Sequence, residues 1–497
     1  MQRILRWYDH LALNIHWLGI NVATGAITLV ILPYLVALFV QEEQKNTYLA
    51  TIRVVGLAVA MLVQPVAGML SDRTTSRWGR RRPYIFWATL LNILFLLVIG
   101  TSPQLVGSSS DDFFQSMLGV STAYIVLLVG IVLIQAAANV IFGALVGLIP
   151  DLVPEDQRGR SSGVKAVFEL LPAFLIIFIG PLVDAGQIWL VIAIIAGSLF
   201  LTMLITIFFV HEEPLQDRPE NGISEKIWRL VTLTAIFVVV TQGAVWFVRN
   251  SANLLSGHGV SIGWQITLVG LAGLIGMAGS ILIGVYLGSR VGIGKEARQQ
   301  TSFIWWIINR LLFLAGVGSI QGFALFYLRD YLKADNPATM TTQLLAAVGL
   351  FLIPSALGGG YLADRMGRKR LVAYAGILAA VGTLFLLFST SFPMVVVSGC
   401  IIGLGTGAFM ATSWALGINL VPPEEAGRYL GISNLAGAGA GIVGAGIGGP
   451  IADFFNLFKP GLGYLVIFAI YAALFLLSVV TLTKVHPPEL QSQRQAT

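Results

Sequence analysis

The chain contains the stretch GMLSDR at residues 68–73 and repeats it as GYLADR at residues 360–365. Both copies follow a long apolar run, and both are closed by a basic cluster, GRRR at 79–82 and GRKR at 367–370. A polar loop that recurs in the same position after an apolar segment is typical of an internal repeat. The chain is therefore predicted to consist of two related halves.

Two more pairs of short segments occur in the same order in both halves. Leu-Val-Pro at 152–154 matches 420–422, and Gly-Pro-Leu-Val-Asp at 180–184 matches Gly-Pro-Ile-Ala-Asp at 449–453. Three matched sites in one order indicate a duplication.

The composition is that of a protein embedded in lipid. Of the 497 residues, 56% are hydrophobic and 11% are charged, and the mean hydropathy is +0.83. A helix that crosses a bilayer needs about 20 apolar residues, and the sequence offers about fourteen such runs. The fifth run is predicted as one helix over 161–183. Because these runs are long and continuous, unlike the short alternating strands of a membrane barrel, we expect an all-α polytopic membrane protein.

The position of the second loop predicts an insertion between the halves. This copy follows the tenth run, although two plain six-helix halves would place it after the eighth. The predicted organisation is an amino-terminal six-helix bundle at 1–210, a cytoplasmic linker at 211–226, an inserted transmembrane hairpin at 227–288, a second cytoplasmic linker at 289–300 and a carboxyl-terminal six-helix bundle at 301–497.

Charge and cysteine content limit the functional classes. Most Lys and Arg residues share one side of the membrane if both termini are cytoplasmic, which is the side where basic residues accumulate. The net charge of +6 is therefore explained by membrane orientation, and no nucleic-acid partner is expected. We also expect the protein to be a monomer in the plasma (inner) membrane, in contact with the lipid bilayer. With Cys400 as the only cysteine and no metal-ligand spacing among the histidines, no cofactor or metal site is predicted.

The repeated Gly-x-Leu-Ser/Ala-Asp-Arg loop with its basic close resembles the signature loop of the major facilitator superfamily. The expanded first copy, residues 71–85, resembles more particularly the sucrose transporters and the glycoside, pentoside and hexuronide cation symporters. The resemblance implies a major facilitator fold, here with an inserted hairpin, and secondary active transport by alternating access. Where sucrose transporters carry an acidic residue and an arginine on the fourth helix, this chain has QAAAN at 135–139 and Val146, which argues against sucrose as the solute.

The resemblance also implies a cytoplasmic gate. In this fold the motif of each half contacts the other half, which would place Asp72 near Gly427 and Asp364 near Gly159 and stabilise the outward-open state. Arg81, Arg82 and Lys369 of the two clusters are expected only to set the orientation in the membrane. The predicted gate residues are Asp72, Arg73, Arg80, Glu155, Arg158, Asp364, Arg365, Arg368, Glu424 and Arg428.

Lys165 and Glu169 are the candidate coupling residues. They lie four residues apart on the fifth span, so they share one helix face and can pair. Glu169 lies about eight residues, or about 12 Å, from the cytoplasmic start of that span, close to the middle of the bilayer. A carboxylate at this depth could bind and release a proton; the alternative is a static structural ion pair.

Polar side chains in other spans are candidates for binding the solute. Amides can hydrogen-bond hydroxyls and indoles can stack on a sugar ring, although such residues also join helices to one another. Arg310 could hold a carboxylate or a hydroxyl-rich solute, or it could bond carbonyls of a neighbouring helix, whereas Arg53 could snorkel to the interface. The candidates are His16, Asn21, Gln135, Asn139, Arg310, Gln321 and Trp414.

The sequence thus predicts a secondary transporter for a small solute, namely the uptake of a sugar or glycoside coupled to a proton or a sodium ion. The alternative within transport is a proton antiporter that exports a drug or amphipathic compound. The Gly-Pro pairs at 180–181 and 449–450 partly match the glycine-rich motif of drug antiporters and so favour this alternative. A polytopic membrane enzyme is a remote alternative, because no catalytic constellation is present outside the Asp-Arg loops. The absence of a GxxxxGK[ST] sequence argues against an ATP-driven pump.

Overall fold

The computed structural model describes residues 5–212, 223–257, 260–292, 301–420 and 426–486. Within these ranges the chain forms helices joined by short turns, and no strand occurs in them. The α-helices of the described residues are, in chain order, α1 Trp7–Ala26, α2 Leu32–Phe39, α3 Lys45–Ser71, α4 Arg82–Thr101, α5 Ser109–Leu118, α6 Thr122–Leu152, α7 Arg158–Leu170, α8 Pro172–Leu175, α9 Gly180–Asp184, α10 Ile188–Phe209, α11 Ile223–Gly257, α12 Ile262–Gly292, α13 Thr301–Asp330, α14 Pro337–Met366, α15 Arg368–Leu387, α16 Phe392–Ile418, α17 Ala426–Asn456 and α18 Leu462–Thr481.

These helices supply the predicted number of membrane spans. In the described part of the chain, 14 helical segments are long and apolar enough to cross a bilayer. The first span, Trp7–Phe39, combines α1 and α2, which are joined by a π-helical turn at Ile27–Ile31 just before Pro33. A proline without an N–H donor disturbs the helical ladder of the preceding turn, which accounts for this turn. The prediction of an all-α protein with fourteen spans is confirmed.

The fifth span differs from the continuous helix that was expected. It covers Glu155–Asp184 but is interrupted, so that α7 ends at Leu170, α8 starts at Pro172 and α9 begins with Gly180 and Pro181. Proline cannot donate to the carbonyl four residues back and its ring crowds that turn. Periodicity and apolar content therefore located the span, whereas the two prolines divide it.

Contacts between the helices divide the chain into two compact units. The first comprises Met1–Glu42, Val59–Leu230 and Asn336–Thr342; in it α1 packs against α10 and α7, and α4 packs against α6 and α10. The second comprises Glu43–Ala58, Val231–Asp335 and Gln343–Thr497; in it α13 packs against α17 and α18, and α15 packs against α16 and α18. The start of α3 thus belongs to the second unit and the start of α14 to the first.

The predicted hairpin corresponds to α11 and α12, and most of it lies in the second unit. Helix α12 contacts α13, α17 and α18. It continues to Gly292, beyond the predicted start of the second linker at 289, with the Arg290 guanidinium over the Tyr286 ring at 4.4 Å. A cation in the last turn interacts favourably with the negative carboxyl end of the helix dipole, which supports this extension.

Glycines in α17 allow neighbouring backbones to approach closely. A Cβ atom at Gly444 would lie 2.6 Å from the Ala315 carbonyl oxygen, and one at Gly449 would lie 2.5 Å from the Asn46 carbonyl oxygen. Both distances are far below van der Waals contact, so no larger residue fits at either position without moving the adjacent helix. The small residues of α17 therefore serve helix packing in the second unit.

Asp111 on the short helix α5 caps the following span. Its carboxylate accepts hydrogen bonds from the Gly107 N–H at 2.9 Å, the Ser121 hydroxyl at 2.7 Å and the Thr122 N–H at 2.8 Å. These bonds, the one from Gly107 first, hold the pKa of Asp111 below its ordinary 3.8. The ionised carboxylate is thus the form that stabilises the fold.

Replacing Asp111 with alanine should destabilise the detergent-solubilised protein by about 1 kcal/mol, because the start of α6 loses its cap. Since folding lowers the pKa of this acid, its contribution is present at neutral pH and is lost as the pH falls below about 3.8. Thermal melts of the wild type and the variant should differ at pH 7 and converge in acid. A difference that persists unchanged in acid would contradict this role.

Candidate transport site and cytoplasmic gate

The predicted coupling pair is formed in the first unit. The Lys165 ammonium lies 3.0 Å from a carboxylate oxygen of Glu169 on α7, and it also lies 4.2 Å from the ring centroid of Trp17 on α1. The side chains of Lys165 and Glu169 are 27% and 36% exposed. Lys165 is therefore held between a carboxylate and an aromatic face, and Glu169 remains partly accessible.

Aromatic and amide side chains lie near this pair. The rings of Trp17 and Phe142 are 5.6 Å apart, which brings α6 against α1. Asn139 on α6 is buried and donates to the Gln135 carbonyl at 2.8 Å, and Asn21 on α1 donates to the Trp17 carbonyl at 2.8 Å. Each amide NH₂ thus bonds its own helix one turn back, and Gln135 itself is half-buried.

His16 is placed differently from the other candidates of the first unit. It is fully buried, and its two ring nitrogens lie 3.0 Å from the hydroxyls of Thr202 and Thr89. Both polar atoms of the ring are therefore used to join α1 to α10 and α4. This arrangement favours the alternative of an interhelical contact over a role in binding solute.

The candidates of the second unit centre on Arg310. Its guanidinium carbon lies 5.1 Å from the ring of Trp414 on α16 and 6.0 Å from the ring of Trp306 one turn back on α13. Gln321, further along α13, is half-buried, as is Trp414. Arg310 and Trp414 are thus brought together, as a binding site for a polar solute would require.

Arg53 also lies in the second unit, where it contacts α13. One of its guanidinium nitrogens donates to the Gly318 carbonyl at 2.9 Å. The guanidinium also fills the space that a side chain at Gly322 would need. Arg53 therefore joins two helices, whereas snorkelling to the interface was the expectation.

The first Asp-Arg loop, with its basic close at 79–82, contains a buried cation whose role differs from the expected one. Arg81 is 5% exposed; it donates to the Ser71 hydroxyl at 2.7 Å, to the Asp151 carboxylate at 3.0 Å and to Asp72. Its guanidinium lies where a Cβ at Gly147 would be. The expectation that Arg81 only sets the orientation is wrong, since buried charge pairs of this kind hold helix ends together.

Glu212 completes this cluster from the end of α10. Its carboxylate accepts the Arg81 N–H at 2.8 Å and therefore caps the start of α4. Burial raises the pKa of Glu212, although the N–H groups of Arg81 and Arg82 oppose this shift. Nothing in the sequence singled out this residue, because it lies some 130 positions from its partners.

The other predicted gate residues form fewer hydrogen bonds and ion pairs than Arg81, and several of them are exposed. Arg80 pairs with Asp151, Glu155 and Arg158 form an exposed pair at 3.4 Å, and Arg368 donates to the Ala415 carbonyl at 3.1 Å. Asp72 is 51% exposed, Arg73 is half-buried, and Asp364 and Arg365 are exposed. Glu424 lies outside the described residues, as does the side chain of Arg428, and the approach of Asp72 to Gly427 and of Asp364 to Gly159 remains a prediction.

Two aspartates that were not among the candidates cap helices of the opposite half of the sequence. Asp184 accepts the N–H groups of Ala338 at 3.1 Å and Thr339 at 2.7 Å at the start of α14, within the first unit. Asp453 accepts those of Asn46 at 3.1 Å and Thr47 at 2.7 Å at the start of α3, within the second unit. We call Asp184 and Asp453 the exchanged caps. The repeated Gly-Pro-x-x-Asp sequence was the signal that could have identified them.

Several curated relatives are named as transporters of sugars or polyols. The chain is 30% identical to the general alpha-glucoside permease of Schizosaccharomyces pombe over 210 residues, which are 41% of this chain and 37% of the relative. It is 32% identical to the minor myo-inositol transporter IolF of Bacillus subtilis over 114 residues, 23% of this chain and 26% of the relative. It is 28% identical to the sucrose transport protein SUC3 of Arabidopsis thaliana over 191 residues, which are 34% of this chain and 32% of the relative. The chain thus spans between 26% and 37% of the length of these relatives.

Solved structures share the fold. The peptide transporter POT in complex with sulfate superposes with a TM-score of 0.63 at 15% identity, covering 97% of this chain and 96% of that one. A bacterial homologue of the iron transporter ferroportin in its inward-facing state superposes with a TM-score of 0.63 at 14% identity. The superposition covers 96% of this chain and 98% of that one. At these identities the likeness concerns the fold alone.

The sequence profile of the Major Facilitator Superfamily matches residues 15–332 and 311–497, which together are nearly the whole chain. This agrees with the two copies of the Asp-Arg loop, the helical spans and the structural neighbours. The chain therefore belongs to the Major Facilitator Superfamily, and the 14 apolar helices of the described residues make it an integral membrane protein.

Proposed function

We propose that this protein takes up a sugar or glycoside by alternating access, driven by a proton gradient. The observation that carries the proposal is the Lys165–Glu169 pair at 3.0 Å, with Lys165 against the ring of Trp17. A partly accessible carboxylate with an adjacent cation, inside a span, can exchange a proton with water that enters from one side. The names of the alpha-glucoside, sucrose and myo-inositol relatives support a hydroxyl-rich solute.

In this proposal Glu169 carries the coupling proton and Lys165 serves as its counter-charge. The candidate solute-binding side chains are the amides of Asn139, Gln135 and Asn21, the indole of Trp17, and Arg310 with Trp414 and Gln321. The protein acts as a monomer in the plasma (inner) membrane with both termini in the cytoplasm, and sodium is the other candidate for the coupling ion.

Counterflow in proteoliposomes tests the proposal. The purified protein should exchange at least one of maltose, sucrose, glucose or myo-inositol across the membrane, and a pH gradient with an alkaline interior should drive its accumulation. Empty liposomes and liposomes treated with a protonophore are the controls. If tetraphenylphosphonium is exchanged and none of the sugars is, the protein is the exporter of amphipathic compounds instead. Accumulation that follows a sodium gradient alone would overturn the proton as coupling ion.

A further inference from the structure

Arg310 is a buried cation whose hydrogen-bonding capacity is not used. Its side chain belongs to α13, the most buried of the described spans, and the residue is 7% exposed. The nitrogens Nε and Nη1 are both buried and donate no hydrogen bond in the structure. The alternative in which Arg310 bonds carbonyls of a neighbouring helix is therefore not realised by these two atoms.

The neighbours of Arg310 hold it in place without neutralising it. Trp306 and Trp414 lie at 6.0 and 5.1 Å, and the Trp306 indole is itself fixed by a hydrogen bond to the Ser413 carbonyl at 2.9 Å. An aromatic face attracts a cation but accepts little from N–H groups that point along the plane of the guanidinium. No carboxylate of the described residues pairs with Arg310, in contrast to Lys165, which is paired with Glu169.

A buried, unpaired guanidinium is costly, because its charge has left water and its N–H groups have lost their partners. A ligand that supplies both a negative charge and planar acceptor oxygens offsets this cost, and a carboxylate does so with two parallel hydrogen bonds. A neutral hydroxyl supplies an acceptor but no charge. A phosphate dianion would call for a second cation, and Arg53, the half-buried arginine that also contacts α13, already donates through one nitrogen to the Gly318 carbonyl, although its Nη1 has no hydrogen-bond partner.

We propose that Arg310 is an anion subsite and that the solute is a sugar acid whose carboxylate binds there, with its ring against Trp414. This inference rests on the proposed function, because it takes the solute to be a sugar, and it adds the charge of that solute. A monocarboxylate leaves the occupied subsite neutral. The hydroxyl groups of the ring then remain free for hydrogen bonds with neutral polar side chains.

Three ligands that differ at one carbon test the inference on the wild-type protein. D-Glucuronate, its neutral amide D-glucuronamide and D-glucose share a ring and differ in the group at carbon 6, and the galacto series repeats the comparison. In counterflow, the acid should have a half-saturating concentration about ten- to a hundredfold below that of the amide and the hexose, as expected for a charge-assisted pair. Equal affinity for acid and amide in both series would overturn the inference while leaving the proposed function intact. If no sugar is exchanged, acidic or neutral, both proposals fail.

Variants locate the subsite. Arg310→Gln should remove the preference for the acid, so that the acid and the amide compete equally. Arg310→Lys should retain part of the preference, because the ammonium keeps the positive charge but cannot form two parallel hydrogen bonds with a carboxylate. Arg53→Gln is the matched control, since it removes a different, half-buried cation beside the same helix, one that already donates to the Gly318 carbonyl. The preference of this variant for the acid should be that of the wild type. If Arg53→Gln abolishes the preference and Arg310→Gln does not, the assignment to Arg310 is wrong.

Discussion

Replacing Glu169 with glutamine should abolish accumulation of solute against its gradient, while exchange between equal pools continues. The amide keeps the size of the side chain and its contact with Lys165 but cannot lose or gain a proton. Since Glu169 lies 3.0 Å from Lys165 and its side chain is 36% exposed, the carboxylate has a counter-charge and is not enclosed by the protein. Proteoliposomes with an imposed pH gradient measure accumulation, and counterflow without a gradient measures exchange.

Glu169→Asp is the matched control for this variant, because it retains a titratable carboxylate and shortens the side chain by one methylene. It should accumulate solute, at a lower rate if the shorter chain no longer reaches Lys165. Accumulation that persists in the glutamine variant would show that the Lys165–Glu169 pair is a structural ion pair and that coupling uses another residue. Loss of exchange together with accumulation would indicate that Glu169 binds the solute directly.

Removing the exchanged caps should shift the conformational equilibrium away from the state in which Asp184 and Asp453 bind the starts of α14 and α3. Asp184 and Asp453 each accept two backbone N–H groups at the start of a helix from the opposite half of the sequence, and Thr339 and Asn46 add a side-chain bond apiece at 2.6 and 2.8 Å. If the halves move against each other during transport, these bonds must break. Charge-assisted bonds contribute about 1.5 to 3 kcal/mol each, so loss of one cap should change the conformational equilibrium by about tenfold or more.

Hydrogen exchange measures this shift at the capped amides themselves. Asp453→Ala should raise the exchange rate at the start of α3, and Asp184→Ala should raise it at the start of α14, each by about tenfold. Asp111→Ala is the matched control, because Asp111 also caps a helix start but stays within one half of the sequence; it should leave both segments unchanged. Unaltered exchange at α3 and α14 in both cap variants would exclude a gating role.

The internal duplication explains why the exchanged caps come as a pair. The Gly-Pro-x-x-Asp segments occupy equivalent places in the two halves, and each carboxylate lies against the start of the second span of the opposite half. The two basic clusters at 79–82 and 367–370 are less symmetric. Asp151, which pairs with Arg80 and Arg81, corresponds to Asn419 in the second half, and there Lys369 donates to the Val485 carbonyl. The two Asp-Arg loops are therefore held by different contacts.

The sequence by itself determined the fold class, the number of spans and the family, because these follow from local properties. A run of apolar residues must span lipid whatever its neighbours are, and the spacing of Lys165 and Glu169 puts them on one helix face. The ion pair at 3.0 Å was predictable for this reason. The division of the fifth span at Pro172 could also have been read from the sequence, since proline acts on its own turn.

Only the tertiary structure decided which polar residues are already satisfied and which remain free. His16 and Arg310 look alike in sequence, as single polar residues in apolar helices, yet the two ring nitrogens of His16 meet Thr89 and Thr202, whereas Nε and Nη1 of Arg310 meet no acceptor. Likewise the caps at Asp184 and Asp453 join positions about 154 and 407 residues apart. Such partners depend on how helices distant in the chain pack together, and a local pattern carries no information about that packing.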